Sequence, residues 1–438
     1  MTGLLRALGS AFKTPDLRKK LLFTLLIITL FRFGSLIPTP GVSYAAVQKC
    51  ISAASATGSS AANDLYGLIN MFSGGALLQL SVFALGIMPY ITASIIIQLL
   101  TVVIPRLETL KKEGAQGQKQ MTQYTRYLTI GLAILQSVGI IALARGKQIF
   151  PSCNENLVPD DSPMVLVTML VVMVAGTAGV MWLAELITDR GVGNGMSLLI
   201  FTSILASYPS QLANIWRIDG RVKFGLTLLV GLITIALVVF VEQAQRRIPV
   251  QYAKRMVGRR EYGGTSTYIP LKVNQAGVIP VIFASSLLYL PNLFVQLSGS
   301  TNGFAQWVSA NFASGSAVYL LANFGLIVFF TYFYVGITFN PEDTAEDMRK
   351  YGGFIPGLRA GKPTADYLRY VLSRITLPGS LYLAAIATIP YVAYNQLGVS
   401  GRFLFGGTSL LIMVGVGLDT VKQIESQLQQ RNYEGIWR

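Results

Sequence analysis

Few groups in the apolar stretches of this chain could do chemistry. Arg32 stands inside an apolar run, and Glu185, Glu242 and Asp419 fall near the ends of others. Ion- and proton-coupled transport places acidic or imidazole groups at mid-membrane depth, and no such group is placed there. The 438 residues include no histidine. That removes imidazole metal sites, imidazole general bases and the Ser–His type of nucleophile together. Two cysteines, Cys50 and Cys153, are too few for a Cys-rich metal centre. No Gly-x4-Gly-Lys-Ser/Thr supplies a phosphate cradle, and no paired intramembrane aspartates stand ready for proteolysis. The expectation is no catalytic residue, no metal, no cofactor and no enzyme: a passive conduit driven by something else.

The informative residues are apolar and come in pairs. Gly86-Ile-Met-Pro-Tyr-Ile-Thr-Ala-Ser94 is answered by Gly277-Val-Ile-Pro-Val-Ile-Phe-Ala-Ser285, and Gly195-Met-Ser-Leu-Leu-Ile200 by Gly407-Thr-Ser-Leu-Leu-Ile412. The offsets, 191 and 212, are similar, as in two halves carrying matched elements. Matched Gly/Pro-interrupted apolar segments point to a central translocation site. They put Ile87, Ile91, Ile200, Ile282 and Ile412 near the centres of four spans. A ring of aliphatic side chains blocks ions by dewetting. It also offers a passing polymer no fixed hydrogen bond, whereas a small-solute site wants a few placed polar groups.

These residues need a scaffold of membrane helices. The chain is 52% hydrophobic and 13% charged, against about 25% charged in soluble domains. Ten spans are expected at about 20–37, 77–101, 123–144, 164–187, 193–212, 223–242, 274–297, 317–338, 372–394 and 404–422. The basic Arg18-Lys-Lys20 before the first span resembles a signal peptide, but Arg32 and the lack of a small-x-small site argue for an uncleaved span. Five spans per half force the second half to be inverted. The repeats then fall on spans two and seven, and on five and ten. The expected division is residues 1–212, spans one to five, and 213–438, spans six to ten. With both termini cytoplasmic, the outer loops hold seven basic residues (Lys49, Arg145, Lys147, Arg217, Arg221, Lys223, Arg402), Arg32 lies in a span, and the other 27 of the 35 lie inside. That asymmetry sets the orientation.

Two inner loops are longer than connectors need to be. Residues 243–273 carry Arg246, Arg247, Lys254, Arg255, Arg259, Arg260 and Lys272; residues 339–371 carry Arg349, Lys350, Arg359, Lys362 and Arg369. Such charge lies on anionic lipid or docks an acidic or RNA-bearing partner. Residues 62–76 form an apolar piece too short to span, ending at Gly74-Gly75. It is either a re-entrant half-helix buried in protein or an interfacial helix. Cys50 and Cys153 both fall in outer loops and could be bridged if their Cα atoms lie within about 7 Å.

Several segments closely resemble the SecY family, channel subunits of the bacterial Sec protein-translocation complex. They are Asn70-Met-Phe-Ser-Gly-Gly-Ala-Leu77, Phe83-Ala-Leu-Gly-Ile-Met-Pro-Tyr-Ile91, Arg190-Gly-Val-Gly-Asn-Gly195, Leu271-Lys-Val-Asn-Gln-Ala-Gly-Val-Ile-Pro280 and Phe405-Gly-Gly-Thr-Ser-Leu-Leu-Ile412. The resemblance covers essentially the whole chain. It implies an all-α polytopic membrane protein of the cell membrane, with ten transmembrane helices in two inverted five-helix halves. The implied activity is a protein-conducting channel for export of unfolded polypeptides and lateral insertion of membrane segments. The implied pore ring is Ile87, Ile91, Met196, Ile200, Ile282 and Ile412; Met196 departs from the usual isoleucine but stays apolar. Residues 62–76, with Leu65, Asn70, Met71, Phe72, Ser73, Gly74 and Gly75, would be the plug. Spans two, three, seven and eight would form the lateral gate. Tyr252-Ala-Lys-Arg255, Gly258-Arg-Arg260 and Pro356-Gly-Leu-Arg359 match loops that dock the ribosome, including its RNA, or the SecA motor ATPase. SecE and SecG are the implied membrane subunits; signal sequences, unfolded chains and lipid are the other partners. A solute transporter, a membrane enzyme and an RNA-binding scaffold are the competing readings. The first two lack their polar groups, and the third leaves the paired segments unexplained.

Overall fold

The computed structural model describes residues 14–57, 73–146, 153, 155–160, 162–218, 220–252, 255–257, 260–262, 266–298, 303, 307, 308, 311, 316–397 and 407–434. Long apolar helices dominate, because a chain this poor in charge satisfies its backbone within each segment when lipid surrounds it. In chain order they are α1 (Pro15–Gly34), α2 (Tyr44–Thr57), α3 (Met88–Val103), α4 (Pro105–Lys112), α5 (Ala115–Arg145), α6 (Pro163–Arg190), α7 (Gly195–Ile218) and α8 (Gly220–Gln243), then α9 (Ile279–Ser298), α10 (Ala317–Thr338), α11 (Pro341–Lys350), α12 (Lys362–Leu397) and α13 (Gly407–Glu434). Among the described residues six helices are long and apolar enough to cross a membrane, or seven if α3 and α4, bent by 99°, count as one broken span. Pro105 opens α4 just past the bend, where the preceding Ile104 is extended.

The second span begins later than its hydropathy suggests. Residues 77–87 were expected to be helical, but 73–87 run as turns and α3 starts at Met88. Gly74, Gly75 and Gly86 hold positive φ there, as does Leu80 at 46°, a conformation that breaks any helix. This connector is nevertheless buried and ordered by backbone pairing. The Thr39 N–H donates to the Leu80 carbonyl at 3.0 Å, and the Val82 N–H to the Ile37 carbonyl at 2.9 Å. The seventh span likewise starts at Ile279, after turns through 273–278.

The two long basic loops form one unit. β1 (Gln245–Tyr252) pairs antiparallel with β4 (Ser266–Lys272) in the first loop and with β5 (Gly353–Phe354) from the second. A small hairpin, β2 (Arg255–Val257) and β3 (Arg260–Tyr262), lies between β1 and β4 in the chain. Ile248, Val250 and Leu271 of the sheet pack with Met348 of α11, Ile355, and Leu368 of α12 into a separate apolar cluster. The alternation of Ile248 and Val250 with exposed neighbours in Gln245–Tyr252 is the period-two signature of a half-buried strand.

A disulfide joins Cys50 of α2 to Cys153 in the α5–α6 connection, with Cα atoms 5.4 Å apart. It sits in an apolar cluster with Val47, Leu77, Leu80, Ile141, Leu143, Met169 and Met173.

Candidate functional site

The largest apolar cluster gathers all six expected ring residues. Ile87, Ile200, Ile282 and Ile412 are buried within it, and half-buried Ile91 and Met196 pack against it. They reach it from four chain segments. Ile87 immediately precedes α3, and Ile91 follows one turn later, its N–H donating to the Ile87 carbonyl at 3.1 Å. Met196 and Ile200 occupy the start of α7, where the Asn194 side chain accepts the Met196 N–H at 3.1 Å. Ile282 lies in the first turn of α9 and Ile412 near the start of α13. Ile27 and Phe31 of α1 and Val180, Ala184 and Ile187 of α6 complete the packing.

The glycines of the paired segments explain how helices enter this cluster so closely. Gly86 and Gly277 both take a left-handed turn, φ 56° and 62°, two residues before their helices begin. Gly195 and Gly407 each open a helix against the carbonyl oxygen of a preceding span, that of Ala184 and of Ile386, where any Cβ would collide. A further pair escaped the sequence reading: Gly176 lies on the carbonyl of Val82, and Gly379 on that of Val273. Val82 and Val273 are again 191 positions apart, the offset of the first repeat. No local motif surrounds these two glycines, so only the contact reveals the match.

The three acidic groups near span ends, Glu185, Glu242 and Asp419, each have a partner. Arg126 of α5 grips Glu185 of α6 through Nε (2.9 Å) and Nη2 (2.6 Å), a two-pronged charge-assisted contact. Glu242 accepts from the Asn274 amide, and Asp419 lies 3.5 Å from the Lys272 ammonium. Among the described residues no three His, Cys, Asp or Glu groups could hold a metal ion.

The residues expected to dock partners divide. Arg359 is exposed in the turn between β5 and α12, its carbonyl accepting the Thr364 hydroxyl at 2.8 Å. Arg255 and Arg260 lie on the β2–β3 hairpin, where Arg255 pairs with Tyr262 and Arg260 with Val257. Lys254 and Arg259 lie outside the described residues, as do Leu65, Asn70, Met71 and Phe72 of the expected plug; Ser73, Gly74 and Gly75 fall in the connector before α3. The sequence reading missed that the two loops share a sheet. On its exposed face Arg247 stacks over Tyr268 at 4.8 Å, an arrangement that presents cations from a fixed platform.

The SecY family model matches residues 81–421. A Streptomyces scabiei protein named "Protein translocase subunit SecY" is 64% identical over 445 residues, covering 99% of this chain and all of that one. A solved structure described as "The structure of a protein conducting channel" superposes with a TM-score of 0.62 at 19% identity, covering 93% of this chain and 91% of its own. Another, "Sec61 in the Canine ribosome-channel complex from the endoplasmic reticulum", gives 0.58 at 17% identity with the same coverage.

Proposed function

The chain belongs to the SecY family of protein translocase subunits, and from that membership we propose how its own residues divide the work. It is a multi-span membrane protein and a protein-conducting channel subunit. Ile87, Ile91, Met196, Ile200, Ile282 and Ile412 make the seal, dry at rest and indifferent to the side chains of a passing chain. One observation carries this reading: six residues from four segments, four of them matched as the pairs Ile91/Ile282 and Ile200/Ile412, share one buried apolar cluster.

Residues 1–212 and 213–438 act as inverted halves. The equivalent glycine contacts of Gly195 with Gly407 and of Gly176 with Gly379 support this. Both termini face the cytoplasm of a cell-membrane protein. The basic asymmetry supports that orientation, and so does a disulfide in the outer loops, since the outer side is the oxidising one. α3, α5, α9 and α10 form the lateral gate; α9 packs on α5 across the two halves. A segment of about twenty apolar residues leaves through it because lipid solvates such a segment better than a wet pore does. Residues 62–76 are the plug. The basic loop with Lys254, Arg255, Arg259 and Arg260 and the turn with Arg359 dock the SecA motor or the ribosome, and SecE and SecG complete the channel.

Site-specific crosslinking tests the central claim. A stalled secretory chain should react with a photoprobe at position 91 or 282 and not with one at lipid-facing Phe240. Absence of product at both ring positions would remove the pore from this cluster.

A further inference from the structure

Arg32 is a cation inside an apolar span and beside the constriction. It lies in the last turn of α1, half-buried, and no carboxylate pairs with it among the described residues. A long cationic side chain near a helix end ordinarily extends to the interface. This one turns to backbone instead: Nη1 donates to the Gly74 carbonyl at 2.8 Å.

Gly74 is confined from both sides. Its φ is +67°, and a Cβ there would stand 2.5 Å from Arg32 Nη1 and 3.1 Å from the Ser203 Cα. Ser203 is buried on α7 one turn beyond Ile200, its hydroxyl donating to the Leu199 carbonyl at 2.9 Å. Arg32 therefore holds the Gly74 bend, whose Cα side faces Ser203, beside the helix that carries two ring residues. From Gly74 the chain runs through turns to Ile87, a third ring residue, and on to Ile91. On the way the Phe83 ring stacks on Phe31, the neighbour of Arg32 in α1.

We infer that Arg32 is a positioning residue for the seal: its hydrogen bond fixes the Gly74 bend on α7 and so sets where Ile87 and Ile91 meet Ile200. The inference rests on the reading of the apolar cluster as the constriction. A part-buried bond from a charged donor to a carbonyl is strong enough to shift a closed–open balance about tenfold when lost.

Resting ion conductance of the assembled channel complex in planar bilayers tests it, with thermal unfolding as the control for folding. Arg32→Met should conduct about tenfold more than wild type and weaken the dependence of export on a signal sequence. Arg32→Lys, which keeps a donor, should recover most of the seal. Gly74→Ala, which disturbs the same contact from the other side, should leak as well, and combining it with Arg32→Met should add little. The Ile91→Asn/Ile282→Asn pair serves as the reference leak. A wild-type seal in Arg32→Met alongside a leaking reference pair would overturn the inference and leave the constriction standing. Were neither to leak, both would fall. If Arg32→Met does not assemble, Gly74→Ala decides: a leak supports the inference and a tight seal overturns it.

Discussion

Replacing Ile91 and Ile282 together with asparagine should wet the constriction. Ile282 is 6% exposed and shares its cluster with Ile200 at 5% and Ile412 at 1%. A fully buried isoleucine gains about 1.5–3 kcal/mol from leaving water. An amide in its place with no partner costs about 1–3 kcal/mol on mutational scales. Position 282 alone then disfavours the dry state by about 2.5–6 kcal/mol. Half-buried Ile91 adds roughly half as much. Since every 1.4 kcal/mol is about tenfold in a population, even a quarter of this total raises the hydrated fraction by about an order of magnitude. The assay is single-channel and macroscopic conductance of the purified complex without substrate, with circular dichroism melting to confirm folding. The expected outcome is a resting conductance at least about tenfold above wild type, while export continues. A folded double mutant that conducts no more than wild type would refute the assignment of the ring.

Arg359→Glu, and separately Arg259→Glu with Arg260→Glu, should weaken binding of motor or ribosome in co-sedimentation without lowering melting temperature, with the wild-type difference shrinking as salt rises; unchanged binding of both partners would reduce these charges to orientation signals. Leu368→Ala should cost about 2–5 kcal/mol locally, because Leu368 is fully buried under the shared sheet. Limited proteolysis should then cut both 243–273 and 339–371 faster, and acceleration in only one loop would contradict their union. Cys50→Ser should lower thermal stability, by at most about 4.7 kcal/mol for a closed loop near 100 residues, and peptide mapping of unreduced wild type should recover the Cys50–Cys153 pair. Free thiols at both positions would remove the bridge.

Much of this architecture is legible in the sequence because a bilayer imposes one simple rule, a long apolar helix. The span expected at 317–338 is the helix Ala317–Thr338, and each of the four paired segments leads into a helix, at Met88, Gly195, Ile279 and Gly407. What hydropathy could not give is where backbone leaves the helix inside apolar surroundings. Leu77, Leu80 and Leu85 read as span, yet they line a buried connector, because turn geometry at Gly74, Gly75 and Gly86 and pairing with residues 37–39 override an apolar run. The shared sheet was hidden for another reason. β5 is two residues long and meets β1 about a hundred positions away, and no local pattern announces a partner at that distance. The sequence puts Cys50 and Cys153 between spans, and position between spans alone cannot say whether two cysteines meet; the 5.4 Å Cα separation is visible only in the structure.

That bridge has a mechanical consequence. It closes the chain between residues 50 and 153 into a covalent circle that contains α3, α5 and Ile87 and Ile91 of the proposed ring. The last turn of α5 is packed into the apolar cluster around the bridge, through Ile141, Leu143 and Ala144. A helix fastened at one end cannot slide away from its neighbour in parallel; it can only swing. α5 and α9 would then part as a wedge, narrow beside the disulfide and broad beside the basic loops, so a nascent membrane segment would find its first exit at the broad end and widen the opening as it moves.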